Sequence, residues 1–155
     1  MPSRRDQIKM SDEELSAFLS EQMIMQCATL GPSGRPHMVP LWYVPDGLDE
    51  LSAWTYAKSQ KARNLEHDPR ATVGIEDGVQ YHELRGVMLE CDVEVERDSD
   101  RVADFGLSLF KRYTGGELGP EVRQMVMGQA PKRVGMRFVP TRVVSWDHRK
   151  LEGGY

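Results

Sequence analysis

Residues 54–70 read Trp-Thr-Tyr-Ala-Lys-Ser-Gln-Lys-Ala-Arg-Asn-Leu-Glu-His-Asp-Pro-Arg, a strand-like run that passes into a short helix. Ser59 is a good N-cap and Asp68-Pro69 a stop signal. Three cations, Lys58, Lys61 and Arg63, fall within six positions of this turn. A helix N-terminus already presents unpaired N–H groups and the positive end of a macrodipole, so cations there oppose the dipole unless an anion joins them. Two readings fit the segment by itself: a phosphate-sized anion site, or a solvated amphipathic helix with Lys and Arg in water.

Working outward, Ser11-Asp12-Glu13-Glu14 is a capping box, and Leu15, Phe18, Leu19 and Met23 continue at helical spacing, which predicts a helix over 11–22. A buried strand over 23–30 follows, then the breaker-rich turn Gly31-Pro32-Ser33-Gly34-Arg35-Pro36 and a strand from His37 to Val44. Leu51 to Tyr56 is the strand that enters the Ser59 helix, and Arg70 to Asp77 the strand that leaves it. From Leu84 to Glu96 the residues alternate, with Val87, Leu89, Cys91, Val93 and Val95 on one face. Asp98-Ser99 opens a helix closed by Gly115-Gly116, and Pro120 to Gln129 is a further helix. Arg133–Val139 and Arg142–Trp146 read as a last hairpin across Pro140, with a polar tail from Asp147. Short strands in a meander with helices at the ends predict a small β-barrel of the α+β class.

The chain of 155 residues has room for one core and not two. The termini, 1–10 and 152–155, are expected to be flexible. No apolar run is long enough to span a membrane, and no apolar segment follows Arg4-Arg5, so a cytoplasmic location is expected. A net charge of -4 argues against nucleic acid as a partner. Cys27 and Cys91 lie in apolar strands without ligand-spaced neighbours, so both read as reduced core residues and no metal site is predicted.

Pro40 inside a strand marks an edge, a bulge, or backbone facing a ligand. Trp42 and Trp54 are candidates to bracket a ring system or to join the core. Trp146, His148, Arg149 and Lys150 gather after the last strand, either as a site element or as a tail folded over an apolar seam. The sequence holds no dinucleotide or Walker loop, nucleophile elbow or zinc pattern. An anion pocket without acid, base or nucleophile implies that a bound cofactor carries the reaction.

The Gly31–Pro36 turn, Thr55, the run Ala57–Leu65 and the closing Ser145–Leu151 together resemble the pyridoxamine 5′-phosphate oxidase-like split β-barrel superfamily. Within it the chain is most similar to the B-type flavin/deazaflavin oxidoreductases, which bind coenzyme F420. The resemblance implies a split barrel of six to seven mostly antiparallel strands with flanking helices over the whole chain. It also implies a homodimer with two cofactor sites at the subunit interface. Thr55, Ser59 and Lys61, with Lys58 and Arg63 adjacent, would hold the cofactor phosphate. Val39, Pro40, Leu41 and Trp42 would lie along the ring system, and Trp146, His148 and Lys150 would cover the site or meet the oligoglutamate. The reaction implied is hydride transfer between F420 and an unsaturated or quinone-like small molecule. Gln60 stands where FMN-using relatives carry a base, which favours the deazaflavin over FMN. An FMN oxidoreductase and a non-catalytic F420 carrier are the alternatives. No side chain is named as catalytic; Tyr43 and His148 could hand over a proton, and a structural role is expected of both.

Overall fold

Local chemistry sets the first elements. In the computed structural model, which describes residues 1–151, Ser3 and Ser11 each close a capping box, on α1 (Arg4–Ile8) and α2 (Asp12–Glu21). Of the two stretches expected to be flexible, 1–10 carries α1 and a buried Met10, and 152–155 lies outside the described residues. There follow β1 (Met25–Leu30), β2 (Pro36–Leu41), β3 (Val44–Asp46), β4 (Glu50–Tyr56), α3 (Gln60–His67), β5 (Arg70–Asp77) and β6 (Arg85–Glu96). The chain closes with α4 (Ser99–Thr114), α5 (Pro120–Gln129) and β7 (Arg133–Asp147). Gly115 ends α4 in the left-handed conformation, with φ of 76°, as a residue without Cβ can.

The seven strands form one antiparallel sheet in the order β2-β1-β5-β6-β7-β4-β3. This is the split barrel of the α+β class, with β2 on one free edge and β3 on the other. Two expectations are corrected. The strand foreseen from His37 to Val44 is two strands, because β2 pairs with β1 and β3 pairs with β4 at the opposite edge. Tyr43 crosses between them fully buried, its hydroxyl donating to the Leu19 and Gln22 carbonyls. The hairpin foreseen across Pro140 is a single strand. There the register on β6 shifts between Glu90 and Cys91, and the irregularity absorbs a proline that cannot donate to the ladder. The Thr141 hydroxyl donates to the Glu90 carbonyl at 3.1 Å across it.

The inner face of the sheet supplies the core: Met25, Cys27, Val73, Ile75, Val87, Leu89, Met136, Phe138 and Leu51, closed by Leu15, Phe18 and Leu19 of α2 and Leu65 of α3. Burying each such side chain is worth about 1.5–3 kcal/mol. On the outer face α4 lies against β4 and the first half of β7, and two glycines permit the approach. A Cβ on Gly106 would stand 2.4 Å from the Trp54 ring, and one on Gly135 2.6 Å from Phe105. The rest of the outer face is open, with Leu30 at 40% and Met38 at 66% exposure beside a groove of about 470 Å³. No helix among the described residues is long and apolar enough to cross a membrane.

Candidate functional site

The strand-to-helix turn at residues 54–63 is built as a cradle. Ser59 caps α3 with extended backbone, its Oγ accepting from the Ala62 N–H at 3.3 Å. Thr55, buried at the end of β4, donates to Ser59 Oγ at 3.3 Å and accepts from Lys61 Nζ at 2.7 Å. The first turn of α3 contains no acidic residue. Burial holds the Lys61 ammonium below its ordinary proton affinity, and the nearby Arg133 guanidinium lowers it further. Lys58 and Arg63 are exposed on the same turn and form no ion pair among the described residues.

A second polar chain ties α3 to the sheet. Gln60 Nε2 donates to Asn64 Oδ1 at 2.8 Å, and the buried Asn64 donates to the equally buried Thr29 of β1 at 3.0 Å. His37 of β2 stands opposite Thr29 on the same face, and its Nδ1 is a buried polar atom with no partner. Val39 and Leu41 continue that inner face, half-buried. Pro40 sits on an edge strand, which is where a residue without an N–H belongs. The arrangement fits a phosphate-bearing ring cofactor: cations without counter-ions at one end, and an apolar strand with one unsatisfied ring nitrogen beside it.

The remaining predicted residues lie elsewhere. Trp42 follows β2 and stacks on Tyr113 of α4, with centroids 4.2 Å apart and planes 11° apart. Phe110 meets Trp42 and Trp54 edge-on at 5.9 and 6.3 Å, so the two indoles flank a helix side chain, leaving no open slot between them. Trp146 lies across Gly86, where a Cβ would stand 2.4 Å from its ring. His148 Nδ1 meets the Tyr81 carbonyl at 2.7 Å, and Lys150 donates to the Lys9 carbonyl and to Glu14 at 2.9 and 2.6 Å. The polar tail foreseen from Asp147 is therefore a pinned chain end through Lys150. Its cations are spent internally: Arg149 forks onto the buried Asp147.

Ten residues of β6 separate Gly86, opposite Trp146, from Glu96, opposite the Gly135 that pairs with Trp54; that is roughly 33 Å of strand path. One chain thus holds its phosphate-type residues at one end of the sheet and its Trp146 end at the other. Tyr43 has the structural surroundings expected of it: its hydroxyl is engaged by the Leu19 and Gln22 carbonyls, and burial pushes its phenol up to about 12. Sequence reasoning missed Asn64, His37 and Arg133. The last joins Lys61 only through strand register, which leaves no local signal.

The family profile for pyridoxamine 5′-phosphate oxidase matches residues 11–147. The chain belongs to that family. An F420H(2)-dependent biliverdin reductase of Mycobacterium tuberculosis is 30% identical over 127 residues, covering 81% of this chain and 87% of that protein. A crystal structure of a conserved hypothetical protein from the same organism superposes with a TM-score of 0.88 at 41% identity, over 99% of this chain and 95% of that one. An F420 reductase structure superposes at 0.64 with 25% identity, over 83% and 94% of the two chains. The Thr55, Ser59 and Lys61 cradle and both long strands of this pyridoxamine 5′-phosphate oxidase family member lie inside the matched region.

Proposed function

We propose that this protein is an F420-dependent oxidoreductase that exchanges hydride with an unsaturated or quinone-like small molecule and works as a homodimer. The observation that carries the reading is Lys61, a half-buried ammonium that donates to Thr55, whose hydroxyl in turn donates to the Ser59 cap of α3, with no carboxylate among the described residues to neutralise it. Two relatives named for F420 chemistry support the choice of cofactor. Gln60 adds to it, since its amide is bound to Asn64 and brings no charge to the place where FMN-using relatives carry a base.

Thr55, Ser59 and Lys61, with Lys58 and Arg63, hold the phosphate. Val39, Pro40 and Leu41 line the ring's path. When bound, the deazaflavin supplies a two-electron hydride donor and acceptor. The chain's own task is to fix the ring, neutralise the phosphate and exclude water. The Trp146 end reaches such a site only from a second copy, with Lys150 there kept on Glu14, and the open outer face around Leu30 and Met38 is the surface for that copy.

The test is a titration of the apo-protein with F420 and with FMN, read by tryptophan fluorescence, with oligomeric state by light scattering. Micromolar F420 binding to a dimer is expected; saturation by FMN alone would sink the reading. Reduced F420 is then offered quinones, enones and linear tetrapyrroles, and oxidation by at least one of them separates an enzyme from a carrier.

A further inference from the structure

Arg133 opens β7 directly beside the α3 turn. It pairs with Tyr56, the last residue of β4, and the Ala57 N–H donates to the Lys132 carbonyl at 2.9 Å, so the two segments are one backbone-bonded corner. The guanidinium carbon lies 4.4 Å from the Trp54 ring centroid and 3.9 Å from that of Tyr56. Nε donates to Gln129 Oε1 of α5 at 3.1 Å. Trp54 is itself held against Gly106 of α4. Four elements therefore converge to fix one side chain that forms no ion pair among the described residues.

A guanidinium stacked on two rings and tethered at Nε has lost its rotamer freedom and keeps both Nη groups as donors. Lys61, which donates to the Thr55 that precedes Tyr56, likewise forms no ion pair among the described residues, and the two like charges at this corner disfavour one another. An anion between them removes the repulsion, and a planar two-donor edge suits phosphate oxygens. We propose that Arg133 is the second cationic arm of the α3 anion site, donating both Nη groups to the cofactor phosphate, with Trp54, Tyr56 and Gln129 as its positioning residues. The proposal rests on the reading of Thr55, Ser59 and Lys61 as a phosphate site.

Two ligands separate charge recognition from packing: F420, and the same deazaflavin lacking its phosphate and all that follows it. Arg133→Met keeps an apolar stem between the rings and removes the donors. It is expected to raise the Kd for F420 ten- to a hundredfold and to leave the phosphate-free ring within twofold, with Arg133→Lys recovering part of the loss. Gln129→Ala, which cuts only the tether, is expected to weaken F420 two- to fivefold at unchanged Tm. If Lys61→Ala weakens F420 while Arg133→Met does not, or if Arg133→Met weakens both ligands equally, Arg133 only packs and the proposal falls. If neither Lys61→Ala nor Arg133→Met changes F420 binding, the phosphate site itself is misplaced and the proposal falls with it.

Discussion

Two clusters at opposite ends of the sheet treat positive charge in opposite ways. Around the first turn of α3, Lys58, Lys61, Arg63 and Arg133 form no ion pair among the described residues, whereas Arg97 and Arg70 beside its last turn are paired with Glu66 and Asp68 at 2.9 and 2.7 Å. At the far end every arginine and lysine of the cluster is paired: Arg85 with Asp77 and Glu21 at 2.6 and 3.4 Å, Arg149 with Asp147 at 2.8 Å, Lys150 with Glu14 at 2.6 Å. Arg85 also lies over the buried Phe18 ring at 5.2 Å. The far end joins α2 and the stretch from Asp147 to Lys150 to the barrel and contributes to stability. The α3 end is left electrostatically incomplete, which is the condition for binding an anion.

That contrast can be broken from either side. The largest effect is expected from Asp147→Ala, which removes a buried carboxylate and the three hydrogen bonds it accepts from Arg149; unfolding free energy should fall by about 3 kcal/mol, with F420 affinity per folded protomer unchanged. A denaturant melt beside a ligand titration checks both halves. Lys61→Ala reverses the pattern: it should weaken F420 by about 1.5–3 kcal/mol, the worth of a charge-assisted hydrogen bond, while stability holds or rises because a repulsion is gone. An equal loss of stability would show Lys61 to be structural.

Acid should weaken the paired end. Hydrogen bonds from Lys150 and Ser11 lower Glu14 from 4.5 to about 2, and the Arg149 side chain holds Asp147 below its ordinary 3.8. Carboxyls with depressed folded values stabilise fully above their unfolded values and lose that contribution as pH falls through the folded ones. Melts between pH 4.5 and 2 should therefore decline, and less steeply in Asp147→Asn; a flat profile in the parent protein would contradict the pairing. The smallest effect is expected from Lys150→Ala. Its partly exposed pair with Glu14 is worth about 0.5 kcal/mol, and F420 affinity should stay within twofold because that charge is already used. A tenfold loss of affinity would show instead that Lys150 leaves Glu14 to meet the ligand.

Much of the fold was legible because its signals are short-ranged. The Ser11 capping box, the Ser59 cap, the Asp68-Pro69 stop and the Gly115 terminus each depend on residues within one turn, and each lies where it was read. The errors came where a partner strand decides. Pro140 looked like a turn because its neighbours in sequence say so, yet the register shift on β6 absorbs it. Trp42 looked like strand because its flanks are β-formers, yet the chain there changes edges of the sheet. In the site, Thr55, Ser59 and Lys61 were found because the cap, the strand end and the cation fall within seven residues. Trp146, His148 and Lys150 were joined to them by the family resemblance, and within one chain the structure sets them at the opposite end of the sheet.

By itself, then, the sequence determined the element types, their caps and the presence of an uncompensated basic helix start, since backbone sterics, capping and alternation act over a few residues. Only the tertiary structure decided which charges meet. Strand register is set by burying one face of the sheet, and that register brings Arg133 to Lys61 across 72 residues of chain while it carries Lys150 away to Glu14.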